Sequence, residues 1–264
     1  MTMRQMMGLG WLVVLMAGLS ACASQTPRPE AETTPQAEAE AGPELSKPGT
    51  VLIMVEREAG SQESFTTRLF VNPDYLHISD SRSPSDYILF NRAEQTIYNV
   101  TSGDRTIMVI RDKEVTVKPP IEIRFEEESQ PSSAIPKIDG QQATHYRYTV
   151  NGKHCYDTVV LPEDFMPDVL AAMREFRLVL AGEHATTVDR MPPDTLDACD
   201  LALNIFEPIR HMEHGLPIRE WDRHGYQRFL KDYRKDVVVE ASLLELPKDF
   251  ERYSVGDVLV GNEK

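Results

Sequence analysis

The chain has 264 residues, of which 41% are hydrophobic and 27% charged, and its formal net charge at pH 7 is −14. This acidic balance argues against a nucleic-acid-binding protein and against direct adsorption to anionic lipid faces, because both kinds of partner require basic patches. The length leaves room for one large globular domain or two small ones.

The first 21 residues have the three-part layout of a secretory signal peptide. Arg4 supplies a positive start, residues 8–19 are apolar without a charge, and Ser20 and Ala21 are small. The alternative is a transmembrane anchor, but the apolar run is shorter than the roughly 20 residues that a membrane span needs. We therefore predict that 1–21 are a cleaved signal.

Leu19, Ser20, Ala21 and Cys22 resemble the lipobox of bacterial lipoproteins. In that family the signal is cut before the cysteine, which then carries acyl chains such as palmitate on its sulfur and its new amino group. The resemblance implies lipidation of Cys22. More than one acyl chain gives stable anchoring, since each buried CH₂ contributes about 0.8 kcal/mol. No Asp follows the cysteine, which implies the periplasmic face of the outer membrane.

Residues 22–49 are predicted to form the acylated end and a disordered tether. Pro, Glu, Ala, Thr and Gln dominate this stretch, and large apolar side chains are nearly absent. Such a segment does not bury enough apolar surface to offset the entropy lost on ordering. We expect it to hold a folded domain, residues 50–264, away from the membrane.

Short apolar segments separated by turn residues predict an antiparallel meander at the start of this domain. The predicted strands are 50–58, 65–71, 75–79, 87–91, 96–100 and 106–110, with a possible extension at 121–125. Glu126, Glu127 and Glu128 are interpreted as a solvated, charged edge that discourages strand pairing. Residues 130–135 are predicted to be a loop.

The second part of the domain changes from strand to helix periodicity and back. Strands 145–150 and 155–161 flank Asn151-Gly152, a strong hairpin signal. Apolar residues then recur at helical spacing in 162–182, with a start at Pro162, and in 194–206. Further strands are predicted at 216–221, 226–229 and 237–246. This order of elements predicts the α+β class.

Four stretches resemble an uncharacterised branch of the LolA/LolB-like proteins of the bacterial envelope. They are YILFNRAEQTIYNVTSGDRTIMVI, KIDGQQATHYRYTVNGKHCYDTVV, HGLPIREWDRHGYQ and LLELPKDFERYSV. The resemblance implies a single curved antiparallel sheet, a half-barrel, that wraps two or three inserted helices.

Two cysteines besides Cys22 suggest a disulfide, since the periplasm is oxidising. Cys155 shares a predicted strand face with Val159 and Leu161, and Cys199 shares an apolar helical stripe with Leu196 and Leu203. Both thiols are therefore expected to face the core, where a strand–helix bridge is possible. The alternative is two separate buried thiols.

No motif predicts catalysis, a metal or a cofactor. His211, Glu213 and His214 form the best metal-like cluster, but the sequence has no H-E-x-x-H pattern and no third ligand at useful spacing. We interpret them as exposed polar residues. Neither a G-x-S-x-G elbow nor a phosphate-binding or dinucleotide-binding glycine pattern occurs.

A half-barrel leaves a cavity between its sheet and its helices, and apolar residues of both are candidates to line it. The candidates are Phe65, Leu69, Ile78, Leu89, Tyr98, Met108, Val169, Met173 and Phe176. The alternative for each of them is a place in the packed core.

The leading hypothesis is a non-catalytic lipoprotein that binds an apolar or amphipathic envelope ligand, or another lipoprotein. The alternative is a structural or sensory adaptor that docks an envelope protein. A hydrolase with an unrecognised site is the third possibility. An open cavity would favour ligand binding over the adaptor, and converging polar groups in that cavity would favour the hydrolase.

Overall fold

A computed structural model describes residues 44–133, 135–192 and 195–257 of the protein. The predicted signal peptide, Cys22 and most of the predicted tether lie outside the described residues. The described residues belong to one compact unit, so the features below concern a single body.

Twelve strands form one sheet, and two helical segments follow its ninth strand. The strands are β1 (Gly49–Arg57), β2 (Ser64–Val71), β3 (Tyr75–Asp80), β4 (Tyr87–Asn91), β5 (Thr96–Thr101), β6 (Thr106–Arg111), β7 (Phe125–Pro131), β8 (Thr144–Val150), β9 (Lys153–Leu161), β10 (Leu216–Asp222), β11 (Gln227–Val237) and β12 (Glu251–Ser254). The helices are α1 (Pro167–Ala185) and α2 (Ala198–Leu201), which continues as a π-helical turn, Ala202–Phe206.

The strand order is β12-β6-β5-β4-β3-β2-β1-β11-β10-β9-β8-β7. All neighbours run antiparallel except β12, which lies parallel to β6. Within the described residues the two outer strands, β12 and β7, do not pair with each other, so the sheet is open. The predicted α+β class with a large antiparallel sheet is confirmed.

The meander β1–β6 and the hairpin β8–β9 follow the sequence prediction closely. Asn151 and Gly152 both have positive φ, 54° and 73°, as the type I′ hairpin turn requires. Here local signals are sufficient, because each strand pairs with its neighbour in the chain.

Three strands differ from the prediction. Residues 226–229 and 237–246 were predicted as two strands, whereas β11 is one strand, Gln227–Val237, followed by a short 3₁₀ turn, Ala241–Leu244. The predicted loop at 130–135 begins within β7, an edge strand in which Glu126 and Glu128 are exposed and Glu127 is half-buried. Strand β12 was not predicted, because its partner β6 is remote in the chain.

Both helices begin later than predicted. Pro167 occupies the first turn of α1, where a proline has no hydrogen bond to lose. Asp197 caps α2 by accepting hydrogen bonds from the backbone N–H groups of Cys199 and Asp200, while Asp194 lies outside the described residues. In the described part of the chain, no helix has the length and apolar character needed to cross a membrane.

The main core lies between α1 and one face of the sheet. Val169 and Leu170 of α1 pack with Leu52, Met54 and other buried side chains of that face. Close packing also fixes the end of α1, since a Cβ at Gly182 would lie 2.1 Å from the carbonyl oxygen of Lys113. Only glycine fits there without displacing the backbone.

Cys155 of β9 and Cys199 of α2 are joined by a disulfide, as predicted. Their Cα atoms are 5.4 Å apart, within the usual range for a bridge. The bond ties the short second helix to the sheet, next to Tyr148, Tyr156 and Ala202.

Candidate functional site

A cavity of about 280 Å³ lies between the sheet and the helical segments. Strands β2, β3, β9, β10 and β11 form one side, and α1 and the segment 203–212 form the other. Its apolar wall consists of Leu69, Leu76, Ile78, Met173, Phe176, Leu203 and Met212. Its polar wall consists of Tyr156, Arg177, His211, Glu220, Asp222, Tyr226 and Arg228.

Four of the predicted candidates line this cavity: Leu69, Ile78, Met173 and Phe176. Phe65 instead lines a neighbouring cavity of about 360 Å³, which shares Ile78 and Tyr226 with the first. Phe65 points to the same sheet face as Leu69, because the two residues are four positions apart in one strand.

The other candidates do not line the cavity. Leu89 and Tyr98 pair directly across β4 and β5 and pack in a separate cluster with Leu244. The neighbouring Phe90 belongs to the main core, so alternation along the strand turns Leu89 to the opposite face. Met108 and Val169 pack in the main core.

Three charged side chains form a row across the central strands. Glu56 of β1 pairs in register with Arg228 of β11, and Arg228 pairs with Glu220 of β10. Arg228 Nε lies 3.5 Å from a Glu56 carboxylate oxygen, and Nη1 lies 3.6 Å from a Glu220 oxygen. The side chains of Glu56, Glu220 and Arg228 are 13%, 5% and 17% exposed.

Two tyrosines complete this row by donating to its carboxylates. The hydroxyl of Tyr156 donates to Glu220 at 2.5 Å, and that of Tyr226 donates to Glu56 at 3.0 Å. Burial raises the pKa of both tyrosines, so they remain protonated donors. Desolvation alone lowers the pKa of Arg228, but Glu220 and Glu56 raise it above its ordinary value, so the guanidinium stays charged.

His211 is a buried, neutral imidazole beside this row. It is 5% exposed, and its Nδ1 has no hydrogen-bond partner among the described residues. Its Nε2 lies 3.9 Å from Glu220, too far for a hydrogen bond. Burial, followed by the charges of Arg177 and Arg228, lowers the pKa of His211 to about 3.

Arg177 brings a second cation to the cavity from α1. Its guanidinium donates to the carbonyl oxygens of Leu203 at 2.7 Å and Pro208 at 3.4 Å. Desolvation lowers its pKa, but an arginine remains charged at neutral pH. These bonds fix the π-helical turn against α1, so Arg177 also shapes the cavity.

The polar row was not predicted, although the sequence contains a signal for it. Glu56 follows Leu52 and Met54 at a period of two, so a charged residue occupies a core-facing position. Arg228 and Leu230 show the same pattern in β11. Only the strand register brings these positions together, and that register is set by pairing between distant parts of the chain.

Glu127, Glu213 and His214 place their potential ligand atoms within 4.8 Å of one another. Arg210 is part of the same group, with nitrogens 3.5 Å from Glu127 and 3.9 Å from Glu213. His214 also bonds Glu127 at 2.7 Å and stacks on Tyr146. Because a guanidinium already compensates these carboxylates, we describe the group as an ion-pair network.

A second polar network surrounds Asp157, whose side chain is fully buried. Its carboxylate contacts His145 at 2.7 Å, His154 at 2.5 Å and Arg147 at 3.1 Å. Three partners satisfy the buried acceptor, as burial of a carboxylate requires. His145 and His154 therefore have a structural role, as partners of the buried Asp157 carboxylate.

The buried histidines predict that acid destabilises the fold. His211 has its pKa lowered to about 3 by burial, and burial followed by Arg68 lowers that of His77 to about 4. Because the unfolded chain takes up protons below about pH 6.5, stability is present above that pH and is lost as the pH falls. We expect His211 alone to account for about 2 kcal/mol between about pH 7.5 and about pH 5.

Urea unfolding at several pH values measures this effect. The His211→Gln variant should show a shallower pH dependence than the wild type, and His224→Gln, at an exposed position, serves as the matched control. Equal slopes for both variants would contradict the prediction.

Neither a family model nor a curated protein matches the sequence. Among solved structures, an uncharacterised conserved protein from Thermus thermophilus is similar at a TM-score of 0.39 and 12% identity, over 78% of this chain and 90% of that one. A structure of PNGF-II is similar at a TM-score of 0.40 and 13% identity, over 81% of this chain. This chain spans 32% of PNGF-II. At such scores neither likeness supports an inference about function.

Proposed function

We propose that this protein is a lipid-anchored lipoprotein on the periplasmic face of the outer membrane, and that its cavity binds an apolar or amphipathic ligand without catalysis. The observation that supports this best is the lining on the sheet side of the cavity, where β2 and β3 contribute only apolar residues and β9, β10 and β11 contribute only polar ones. A ligand with one apolar end and one polar end satisfies both walls at once.

The size of the cavity limits the ligand. About 280 Å³ is at the small end of ligand sites, which commonly occupy about 300–1,000 Å³. One acyl chain segment or a similarly narrow molecule fits this volume. Met173 and Met212 on the apolar wall suit chains of varied shape, since methionine side chains adapt to irregular partners.

We also propose that the sheet has the half-barrel curvature that the LolA/LolB resemblance implies. Helix α1 contacts β2, β3, β5, β6 and β10. Of these, β6 is the second strand in the sheet order and β10 is the ninth, so the contacts extend across most of the sheet. A sheet that curves around the helix accounts for these contacts. The same curvature creates a concave side with room for a ligand.

Native mass spectrometry of the chain beginning at Ala23, purified without detergent, tests the binding function. This chain retains every described residue and lacks only the signal and the lipidated cysteine. We expect a co-purified amphiphile that is lost on unfolding. Met173→Trp, which fills the apolar wall, should reduce its occupancy, whereas Leu178→Trp, at an exposed position of α1, should not. An empty wild-type protein would contradict the proposal.

The lipid anchor gives a separate prediction. The Cys22→Ala variant should stay in its unprocessed form or leave the membrane fraction, because the acyl chains that supply stable anchoring are missing. Globomycin, which blocks lipoprotein signal cleavage, should give the unprocessed form of the wild type. Unchanged processing and fractionation in both experiments would rule out the lipoprotein assignment.

A hydrolase is the second candidate, because seven polar side chains do converge on the cavity. However, the lining residues include no Ser, Thr or Cys, and the Glu220 carboxylate is already engaged by Arg228 and Tyr156. Incubation with p-nitrophenyl esters and glycosides tests this candidate. Turnover by the wild type that Glu220→Gln abolishes would replace binding with hydrolysis as the function.

A further inference from the structure

The charges on the polar wall of the cavity balance. Arg177 and Arg228 contribute two cations, and Glu220 and Asp222 contribute two carboxylates. His211 is neutral because burial keeps its pKa near 3. Glu56 lies in the neighbouring cavity and contacts Arg228 from there, so it adds a small excess of negative charge.

This balance decides which head group the wall accepts. Bringing an ion into a buried site without a counterion leaves an uncompensated charge, which is strongly unfavourable. A carboxylate or phosphate would find Arg177 and Arg228 already balanced by Glu220 and Asp222, and the nearby Glu56 adds one further negative charge. An ammonium group would have to compete with Arg228 for the carboxylates that this arginine already contacts.

The same wall contains hydrogen-bonding atoms without partners. Nδ1 of His211 and Nε of Arg228 are buried and make no hydrogen bond among the described residues. A neutral imidazole donates at one nitrogen and accepts at the other, and the arginine only donates. An uncharged hydroxyl, ester or amide can satisfy such atoms, because it offers an acceptor and in some cases a donor.

We infer that the cavity selects amphiphiles whose head group is uncharged and forms hydrogen bonds, with the head at His211 and Arg228 and the chain along Met173 and Phe176. This inference rests on the proposed binding function and specifies its ligand class. Fatty alcohols and acylated esters or amides are therefore expected to bind more tightly than free fatty acids or amines.

Three ligands of matched length test the inference on the chain beginning at Ala23. They are 1-octanol, octanoate and octylamine, measured by saturation-transfer NMR titration at about pH 7.5, where the acid and the amine are both ionised. We expect 1-octanol to bind at least about tenfold more tightly than either ion, a difference that a single uncompensated charge readily produces.

The outcomes separate the two proposals. Tighter binding of octanoate or octylamine would overturn the head-group assignment and leave the binding function in place. Binding of none of the three would overturn both. These measurements use the unmodified binding site and do not depend on the folding of a variant.

The Glu220→Gln variant tests the charge balance itself. Its amide oxygen still accepts from Tyr156, but the wall gains one unit of positive charge. We expect the affinity ratio of octanoate to octylamine to rise at least about tenfold, while Glu63→Gln, at an exposed position, leaves it unchanged. An unchanged ratio in a folded Glu220→Gln protein would contradict the inference.

Discussion

The Arg228→Met substitution is expected to lower the free energy of unfolding by about 3–5 kcal/mol, because it removes one partner from a buried ionic group. Glu56 and Glu220 are 13% and 5% exposed, and Arg228 is the cation that contacts both. Without it, two carboxylates remain buried on one sheet face, on the strands that flank β11, and tyrosine hydroxyls are their remaining hydrogen-bond donors. Urea unfolding followed by circular dichroism measures the loss.

A triple variant provides the control. Glu56→Gln, Glu220→Gln and Arg228→Met together remove the charges along with the cation, and the tyrosine donors keep an amide oxygen to bind. Because replacing a whole buried ionic group is often neutral, the triple variant should recover most of the stability lost by Arg228→Met alone. If the single substitution costs less than about 1 kcal/mol, the value of a surface ion pair, the row is not a buried ionic group.

Removal of the Cys155–Cys199 disulfide is expected to lower the free energy of unfolding by about 4 kcal/mol. The bridge closes a loop with a sequence separation of 44, and the chain-entropy model assigns about this value to a loop of that length. The double variant Cys155→Ala/Cys199→Ala measures the loss, again by urea unfolding.

Reduction of the wild type gives an independent measurement of the same bond. The reduced protein and the double variant should unfold at similar urea concentrations, because both lack the cross-link in the unfolded state. Oxidised wild type and double variant with the same midpoint would show that the bond does not stabilise the fold. Loss of the bond should also change the shape of the cavity, because Tyr156, a lining residue, is next to Cys155 in the chain.

The parts of the fold that the sequence predicted depend on local signals. The hairpin at Asn151-Gly152 and the meander β1–β6 require only alternation and turn residues, and each strand pairs with the next. The disulfide was suggested by the oxidising compartment that the predicted signal peptide implies, and one strand face and one helical stripe made the bridge possible. In contrast, β12 is a four-residue strand whose partner β6 is distant in the chain, so no local pattern identifies it.

Charged residues account for most of the errors in strand prediction. The charged run KDYRKD lies between the two predicted strands 226–229 and 237–246, and pairing with β1 keeps β11 (Gln227–Val237) continuous through it. Glu126, Glu127 and Glu128 were interpreted as a solvated, charged edge, whereas they lie within β7, an edge strand that pairs with β8 and needs no second partner. Glu56, Glu220 and Arg228 were not predicted as a group for a related reason. They come together only through the register between β1, β11 and β10, and β1 is remote from the other two strands in the sequence.

The pairing of β1 with β11 has a consequence for the order of biosynthetic events. Strand β1 lies between β2 and β11, and β11 lies between β1 and β10, so this one contact joins the two halves of the sheet. Its residues are far apart in the chain, with Glu56 and Tyr226 separated by 170 positions. Closing so long a loop is slow relative to local hairpin formation. A nascent polypeptide can therefore form the meander β1–β6 early, but it lacks the pairing that joins the two halves of the sheet until β11 has been synthesised.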